Sequence, residues 1–390
     1  MTTPEIRQPK EEICDESYIK NGLKLARDNS SSTLILRLSQ EGCARHAHTE
    51  GIEAGKFSTY EGYLTFFRDV EIIRPEAMCR PSGETTLFTT AGIQRIESLL
   101  RGGQEFEKVS YVVAQPVIRS QFMDRARDGT SSSFVNLSVI DIRSTPKEFI
   151  LRCDELIDLV VSHGAGPEDL RFTIVTDEVT WGQKKFHNIS LTLHYHEVEL
   201  GECVYIYDYP LDGHERISII DLGFSTERLQ WGIRPNRNYF PDFDLIYESL
   251  SNVDSSSVTA IIDAVRSMVL IAGEGIVPSN NNHGYRLRQF SKRYIARTLG
   301  VHINDKELVR IAYEAWQRTG HQFSASLEET EAIITRENQR NFNAAFLAKV
   351  TSSGLGKIYV DINQSTDSFL KQVRFSIPEE KIKNILNQMI

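Results

Sequence analysis

Short apolar runs cluster in the middle of the chain, between segments whose apolar residues recur at helical spacing. The helical spacing predicts helices from Ser58 to just before Pro75 and over residues 91–100, and another over 146–162 that starts at Thr145-Pro146. The runs typical of strands are TLILRL (33–38), VSYVVAQPVIR (109–119), SFVNLSVIDI (133–142), LRFTIV (170–175), ISLTLHYH (189–196), ECVYIYDY (202–209) and ISIIDLG (217–223). This pattern predicts one sheet with helices around it.

The remainder of the chain is mostly helical in pattern: Ser256–Ala272 is an apolar helix, 284–300 a basic one, and a last helix follows Pro378. Strands that cluster together, with helices before and after rather than alternating, are typical of an α+β fold. We therefore expect an antiparallel β-sheet core flanked by helices and followed by a mostly helical domain. Residues 1–56 are polar and weakly patterned, and we interpret them as a variable N-terminal extension.

Composition narrows the class of protein. The chain has 390 residues, 40% apolar and 25% charged, which is ordinary for a soluble globular protein with two or three domains. We find no stretch of about 18 apolar residues and no apolar core of a secretory signal, so we expect a cytoplasmic protein without a membrane span. The five cysteines include no C-x2-C or Cys/His pair typical of zinc, and we expect them to be reduced.

Two segments carry residues suited to nucleotide chemistry. In the first, a strand ends in Arg119 and the next begins with Phe134; a strand-borne guanidinium can bind phosphate through two hydrogen bonds, and an aromatic ring can stack on a purine. In the second, IIDLGFSTERLQW (219–231), an apolar strand with Asp221 leads into a helix that Ser225 is expected to cap and whose first turn holds Glu227 and Arg228. Alternatively, these are a strand-end arginine, a core phenylalanine, an aspartate bonded to backbone and a surface Glu–Arg pair.

A third segment, GEGIVPSNNNHGYRLRQFSKRYIARTLG (273–300), joins an amide-rich turn to a basic helix. The net charge of −9 argues against a protein that coats nucleic acid in general. A local basic face can still bind phosphates on an acidic molecule. The alternative is a solvated basic helix after an ordinary loop.

Taken together, the segments resemble alanyl-tRNA synthetases, whose catalytic core is of class II. PSNNNHGYRLRQFSKR (278–293) resembles the family signature PSN-x-x-x-GY-x-LR-x-x-x-[RK]R, and IDLGFSTER (220–228) resembles motif 3. YLTFFRDVEII (63–73), TTLFTTAGIQRI (85–96) and VAQPVIRSQ (113–121) are similar to the lines around motifs 1 and 2. The resemblance covers about residues 57–375 and implies an aminoacylation domain over 57–250 and a helical domain over 251–390 that resembles the tRNA acceptor-recognition region. We expect a truncated paralogue without the family's editing and C-terminal domains.

The resemblance implies a role for individual residues. Arg119 matches the motif 2 arginine that binds the α-phosphate and the substrate carboxylate, and Arg228 matches the motif 3 arginine on the triphosphate. Phe134 matches the aromatic that stacks on adenine. The remaining implied ATP-binding residues are Gly223 and Glu227; the implied amino-acid-binding residues are Asp221, which would hold the amino group, Trp181, Glu202 and Val204; and the implied tRNA or acceptor contacts are Asn280, Arg286, Arg288, Lys292 and Arg293.

The chain also departs from the family pattern. Ser225 replaces a glycine of motif 3, Val135 stands where the family has a glutamate, and Glu202 replaces an asparagine in the pocket strand. The segment YVDINQS (359–365) replaces one that helps to read the tRNA acceptor, and Val360 stands where an aspartate is expected. These departures leave the nucleotide residues in place, alter the tRNA-reading segment and leave the choice of amino acid open.

The sequence therefore predicts a monomeric enzyme that uses ATP and Mg²⁺ to activate a small amino acid as its adenylate. The acceptor of the second step is tRNA, a carrier protein or a small-molecule amine. The alternative hypothesis is a catalytically inactive paralogue that binds tRNA or an amino acid as a regulatory protein. The interpretation requires Arg119 and Arg228 to converge over one sheet with Asp221 facing the reaction partner.

Overall fold

The computed structural model describes most of the chain. The described residues are 16–27, 35–47, 60–81, 86–97, 100, 107–123, 125–126, 129–181, 184–211, 215–234 and 237–389. They form two compact units. The first comprises the described residues of Met1–Glu76, Thr90–Gln115 and Phe134–Arg237, and the second those of Ala77–Thr89, Pro116–Ser133 and Asn238–Ile390.

Nine strands of the described residues form a single sheet in the order β1-β2-β6-β7-β8-β9-β5-β4-β3. The strands are β1 (Leu25–Arg27), β2 (Leu36–Leu38), β3 (Glu71–Ile72), β4 (Val109–Ile118), β5 (Ser133–Ile142), β6 (Leu170–Trp181), β7 (Lys184–Tyr195), β8 (Val198–Pro210) and β9 (Arg216–Ser225). The β3–β4 pair is parallel, whereas β1–β2, β2–β6, β6–β7, β7–β8, β8–β9 and β5–β9 are antiparallel. The expectation of an antiparallel-rich α+β sheet is confirmed.

The helices of the first unit are α1 (Glu16–Gly22), α2 (Gln40–His46), α3 (Tyr60–Phe66), α4 (Pro146–Ser162) and α5 (Thr226–Ile233). Helix α4 begins as its sequence predicts: the Thr145 hydroxyl accepts from the Glu148 N–H, and the Glu148 carboxylate accepts from the Thr145 N–H. Its apolar side packs on one sheet face, where Leu156 and Val160 share a core with Leu222. A short 3₁₀ helix, Gly92–Ile96, lies within the helix predicted over 91–100; residues 98–99 of that prediction lie outside the described residues.

Part of the segment interpreted as an N-terminal extension belongs to the sheet. Strand β2 lies within the run predicted as a strand over 33–38. It pairs with β1 and with the first residues of β6. Leu23, Leu36 and Leu38 are buried in the main core of the first unit. The described residues before 48 therefore contribute to this core, and the domain boundary drawn at residue 56 stays a prediction.

The second unit is helical. Its helices are α6 (Asp244–Ser249), α7 (Ser255–Gly273), α8 (Asn282–Thr298), α9 (Asp305–Arg318), α10 (Leu327–Ser352), α11 (Thr366–Val373) and α12 (Glu379–Asn387). Helix α7 is central: by length and apolar composition it could cross a membrane, but 89% of its apolar window is buried within the protein, as in the core helix of a bundle. Asp263 and Arg266 interrupt its apolar run, which is why the sequence shows no uncharged stretch of that length.

Candidate functional site

The sheet register places four of the candidate residues side by side. Asp221 of β9 pairs with Val204 of β8, and Gly223 pairs with Glu202. Residues directly opposite each other on paired strands point to the same face, and so do residues two apart on one strand. Asp221, Gly223, Val204 and Glu202 therefore share one face, which we call the Asp221 face. The opposite face carries Ile220, Leu222 and Phe224, which belong to the core packed against α4.

The strand β5 extends the Asp221 face on the other side of β9. Asn136 and Ser138 lie opposite Ser225 and Gly223, so they share the face, and Phe134 does so by its position two residues before Asn136. The Phe134 side chain is 7% exposed. A Cβ atom at Gly223 would stand 3.3 Å from the Asn136 amide nitrogen, so a larger residue would crowd this part of the face. The glycine keeps the centre of the Asp221 face open.

Arg228 lies at the end of the same face. Ser225 caps α5 by accepting from the Arg228 N–H at 3.2 Å, which confirms the N-cap predicted from the sequence. The Arg228 guanidinium is 3.6 Å from the Glu199 carboxylate. A bulge in β7–β8 sets Glu199 opposite His194, on the Asp221 face. Burial lowers the pKa of His194, Glu199 opposes this, and the Arg228 charge lowers it further.

Glu227 connects two elements of this site. Its carboxylate, buried in the protein, accepts from the Val135 N–H at 3.1 Å and from the Thr226 hydroxyl at 2.9 Å. It thus joins the first turn of α5 to the start of β5, between Arg228 and Phe134. The sequence assigned Glu227 to ATP binding; that role stays a prediction, and these bonds indicate a second role, in holding its two neighbours in place.

Trp181 shares the face but is separated from Asp221. It pairs with Lys184, whereas Val204 pairs with Ser190, and residues 184 and 190 of β7 are about 20 Å apart at the usual rise of a strand. Its ring packs at 5.8 Å from that of Tyr209 in an apolar cluster. The structure therefore does not bring Trp181 together with Asp221, because β6 and β7 extend well beyond the runs predicted from the sequence.

Arg119 lies on the hairpin between β4 and β5 and belongs to the second unit. It occupies the N-cap position of a short 3₁₀ helix, Ser120–Phe122. Its backbone N–H donates to the Ser132 carbonyl at 2.8 Å, and this bond closes the base of the hairpin. The Ser132 N–H in turn donates to the Asp263 carboxylate at 2.8 Å. Arg119 is thus held by its backbone in a defined turn, and its convergence with Arg228 stays a prediction.

A loop that sequence reasoning left without a role also lies on the Asp221 face. The Gly92 N–H donates to the Asn136 side-chain oxygen at 2.8 Å, and the Ser138 hydroxyl donates to the same oxygen at 3.1 Å. A Cβ atom at Gly92 would be 2.5 Å from the Ser138 Cβ, so only glycine allows this approach. The motif TTLFTTAGIQRI (85–96) contains this glycine, but only the register of β5 reveals what it contacts.

The proposed acceptor contacts cluster at α8. Asn280 accepts from the Arg288 guanidinium, which also lies 3.5 Å from the buried Glu337 carboxylate. Arg286 donates to the Gln289 amide oxygen at 2.7 Å. The other two are Lys292, which is exposed, and Arg293, which is half-buried. The basic helix predicted over 284–300 is confirmed, and Glu337 neutralises part of its charge.

The glycine of this signature has a steric reason. A Cβ atom at Gly284 would stand 2.4 Å from the Val277 carbonyl oxygen, because the turn before α8 folds tightly over the first turn of the helix. The Ser279 hydroxyl donates to the Asn281 carbonyl at 2.7 Å and stabilises the turn. The signature residues thus form one compact turn–helix unit.

The described residues contain no group of three or more His, Cys, Asp or Glu side chains placed to hold a metal ion. Mg²⁺ is commonly held by one or two carboxylates together with the phosphates of a nucleotide. Glu199 and Glu202, both on the Asp221 face, are carboxylates of the right chemistry for that arrangement. They are the candidates to hold a metal jointly with a nucleotide, and Mg²⁺ binding stays a prediction.

Comparison with known proteins supports the resemblance seen in the sequence. No protein-family model matches the chain. The chain is similar to the alanine–tRNA ligase of Ruthia magnifica subsp. Calyptogena magnifica, at 26% identity over 161 residues (37% of this chain, 19% of the relative). It is also similar to those of Sulfurisphaera tokodaii, at 24% over 153 residues (36% and 17%), and Wigglesworthia glossinidia brevipalpis, at 33% over 87 residues (20% and 10%).

The matched region thus spans about a fifth of the length of these curated relatives or less. Within that part, the relationship to alanyl-tRNA synthetases inferred from the motifs is confirmed at low identity.

Proposed function

We propose that the protein activates a small amino acid with ATP, forming an aminoacyl-adenylate and pyrophosphate, and then transfers the acyl group to an acceptor. The main support is the register of β5, β8 and β9, which sets Asp221, Gly223, Glu202 and Val204 side by side on one face. Phe134 extends this face, and Arg228 stands at its end. A carboxylate, an open glycine, an aromatic ring and a guanidinium are the groups required to hold an amino acid beside a nucleotide.

In the proposed reaction, an oxygen of the amino-acid carboxylate attacks the α-phosphorus of ATP. A new P–O bond forms, the bond to the β-phosphate bridging oxygen breaks, and pyrophosphate leaves with that electron pair. The attacking carboxylate is already ionised, so no general base is needed. Positioning of the reactants and neutralisation of charge therefore provide the catalysis.

Each residue has a part in that positioning. Asp221 holds the substrate ammonium, Phe134 stacks on adenine, and Arg228 neutralises the triphosphate. Arg119 binds the α-phosphate and the substrate carboxylate. Mg²⁺, when bound with ATP, would supply further neutralisation of the phosphates.

The negative charge beside Val204 bears on the choice of amino acid. Glu202 lies diagonal to Asp221 across β8 and β9, and Thr192 of β7 lies on its other side. Two carboxylates near one substrate favour an amino acid that carries a second cationic or donor group besides its α-ammonium. Alanine outcompeting all other amino acids would contradict this part of the proposal.

The test is amino-acid-dependent exchange of labelled pyrophosphate into ATP, screened over amino acids, followed by transfer of the best substrate to bulk tRNA. Exchange with at least one amino acid supports the proposal. If ATP binds and no amino acid supports exchange, the protein is instead an inactive paralogue that binds its ligand as a regulatory protein. Failure to charge tRNA despite exchange would indicate a carrier protein or a small amine as the acceptor.

A variant pair sharpens this test. Arg119→Ala should lower exchange about 30- to 1000-fold, equivalent to about 2–4 kcal/mol of lost charge stabilisation, with little change in melting temperature. Arg310→Ala is the matched control, because Arg310 is an exposed arginine of the same unit paired only with Glu307 and Glu314 among the contacts described. A large drop in the melting temperature of Arg119→Ala would mark that residue as structural.

A further inference from the structure

One fully buried carboxylate of the helical unit, that of Asp263, has no part in the proposed reaction. Asp263 stands in the middle of the apolar helix α7 and is 1% exposed. Burial of a carboxylate is costly unless hydrogen bonds compensate for the lost water. Its Oδ1 accepts from the Ser132 N–H at 2.8 Å and from the Ser133 N–H at 3.4 Å. Asp263 therefore makes its bonds to the backbone of the hairpin that carries Arg119.

The backbone of Ser132 connects Asp263 to Arg119. The Arg119 N–H donates to the Ser132 carbonyl at 2.8 Å, so the backbone of Ser132 is bonded on one side to Asp263 and on the other to Arg119. A shift of Ser132 would consequently move the residue on which phosphate binding depends.

The outgoing limb of the hairpin has a second anchor. The Tyr239 hydroxyl, almost fully buried, donates to the Gly129 carbonyl at 3.3 Å and lies 3.4 Å from the Ser131 hydroxyl. Asp263 and Tyr239 thus hold consecutive parts of the same limb.

The helix that carries Asp263 is closely packed around the next turn. One turn further along α7, the Arg266 guanidinium lies between two aromatic rings, 4.6 Å from that of Phe240 and 4.1 Å from that of Trp316. The Trp316 indole N–H donates to the Arg266 carbonyl at 3.1 Å. Burial raises the pKa of Asp263 to about 6, opposed by the bonds from Ser132 and Ser133 and by the Arg266 charge.

We propose that Asp263 is a positioning residue that fixes the hairpin of Arg119 for nucleotide binding. The assignment rests on the proposed function for its catalytic consequence, but not for its structural part. An apolar residue at position 263 would suit the core of α7 and leave the Ser132 N–H without this acceptor.

The experiment compares Asp263→Ala with Asp263→Asn in the full chain. Alanine removes the acceptor, so backbone amides of residues 129–133 should exchange with deuterium about 10-fold faster, and the KM for ATP should rise about 10-fold with a smaller change in kcat. Asparagine retains a carbonyl oxygen and should restore most of both properties. Asp305→Ala is the control, because Asp305 accepts from Tyr294 and Asn338 elsewhere in the unit and should leave hairpin exchange unchanged.

Unchanged hairpin exchange in Asp263→Ala, or faster exchange throughout the helical unit, would overturn the proposal. If Asp263→Ala does not fold, Asp263→Leu replaces it, because leucine has the same branching as aspartate, suits the apolar core of α7 and still removes the acceptor: amide exchange of residues 129–133 should be faster, as expected for the alanine variant, and no change would overturn the proposal. If the unmodified protein shows no pyrophosphate exchange with any amino acid, the proposed function fails, while deuterium exchange still decides whether Asp263 holds the hairpin.

Discussion

Replacing Glu227 by alanine tests whether this side chain acts on the nucleotide or on the fold. The side chain is 7% exposed, and its carboxylate accepts from the Val135 N–H and the Thr226 hydroxyl. A hydrogen bond to a charged group contributes about 1.5–3 kcal/mol, and the alanine variant leaves both donors without this partner. Relief from burying a carboxylate offsets part of the loss. We expect a net decrease of about 3 kcal/mol in the free energy of unfolding, or about 6–12 °C in melting temperature for a domain of this size.

The assay is urea denaturation combined with a measurement of ATP affinity. Glu227→Gln keeps an oxygen acceptor for Val135 and should cost only about 1 kcal/mol. For the denaturation measurement, Glu199→Ala is the matched control on the same face, since its ion pair with Arg228 is half-exposed and worth at most about 1 kcal/mol. If Glu227→Ala lost ATP affinity while its free energy of unfolding stayed within about 0.5 kcal/mol of the parent, the structural role argued here would be refuted in favour of direct nucleotide contact.

The remaining predictions concern the packing of the first unit. Gly92→Ala should destabilise the protein by about 1–3 kcal/mol in urea denaturation, because its Cβ would overlap Ser138, and the added change Ser138→Gly should recover most of the loss; no recovery would exclude this clash as the cause. Arg152→Ala should lower the free energy of unfolding by about 3–5 kcal/mol at pH 7, because it leaves the buried carboxylates of Asp141 and Glu155 without this cationic partner. Burial already raises the pKa of Glu155, and Arg152 opposes the rise, so without Arg152 its folded-state pKa lies further above the unfolded value. That raised pKa favours the fold at low pH and disfavours it as pH rises, so the stability gap to the parent should narrow between pH 7 and pH 5, and a constant gap would contradict the argument.

Local signals predicted the elements that depend on few residues. The Thr145-Pro146 start of α4 and the Ser225 cap of α5 are satisfied within one helical turn, so neighbouring residues suffice to specify them. The predicted strand runs coincide with β2 and with β4 to β9, but they are too short for β6, β7 and β8. Strand β1 is not predicted, and β3 (Glu71–Ile72) lies where the pattern predicts a helix up to Pro75. The polar ends of β6, β7 and β8, such as Asp177–Thr180, are extended because they pair with neighbouring strands, and a local pattern does not reveal the partner.

In the candidate site as well, short motifs predict the residues, whereas the tertiary structure sets which of them are neighbours. The motifs identified Asp221, Gly223 and Arg228 as residues suited to the chemistry, but whether Glu202 or Trp181 stands beside Asp221 depends on strand register. A shift of one residue in the pairing would turn Glu202 to the opposite face.

The sequence by itself determined the fold class, the helix starts at Thr145 and Ser225, the relationship to alanyl-tRNA synthetases and the types of side chain available for chemistry. These features follow from periodicity, capping residues and short motifs. Only the tertiary structure decided which of those side chains meet. It set Glu202 diagonal to Asp221, gave Arg288 the buried partner Glu337, and joined Asp263 to a hairpin 131 positions away. Such contacts join residues that are distant along the chain. The local pattern favours none of the many possible pairings, and the packing of the sheet and helices selects one of them.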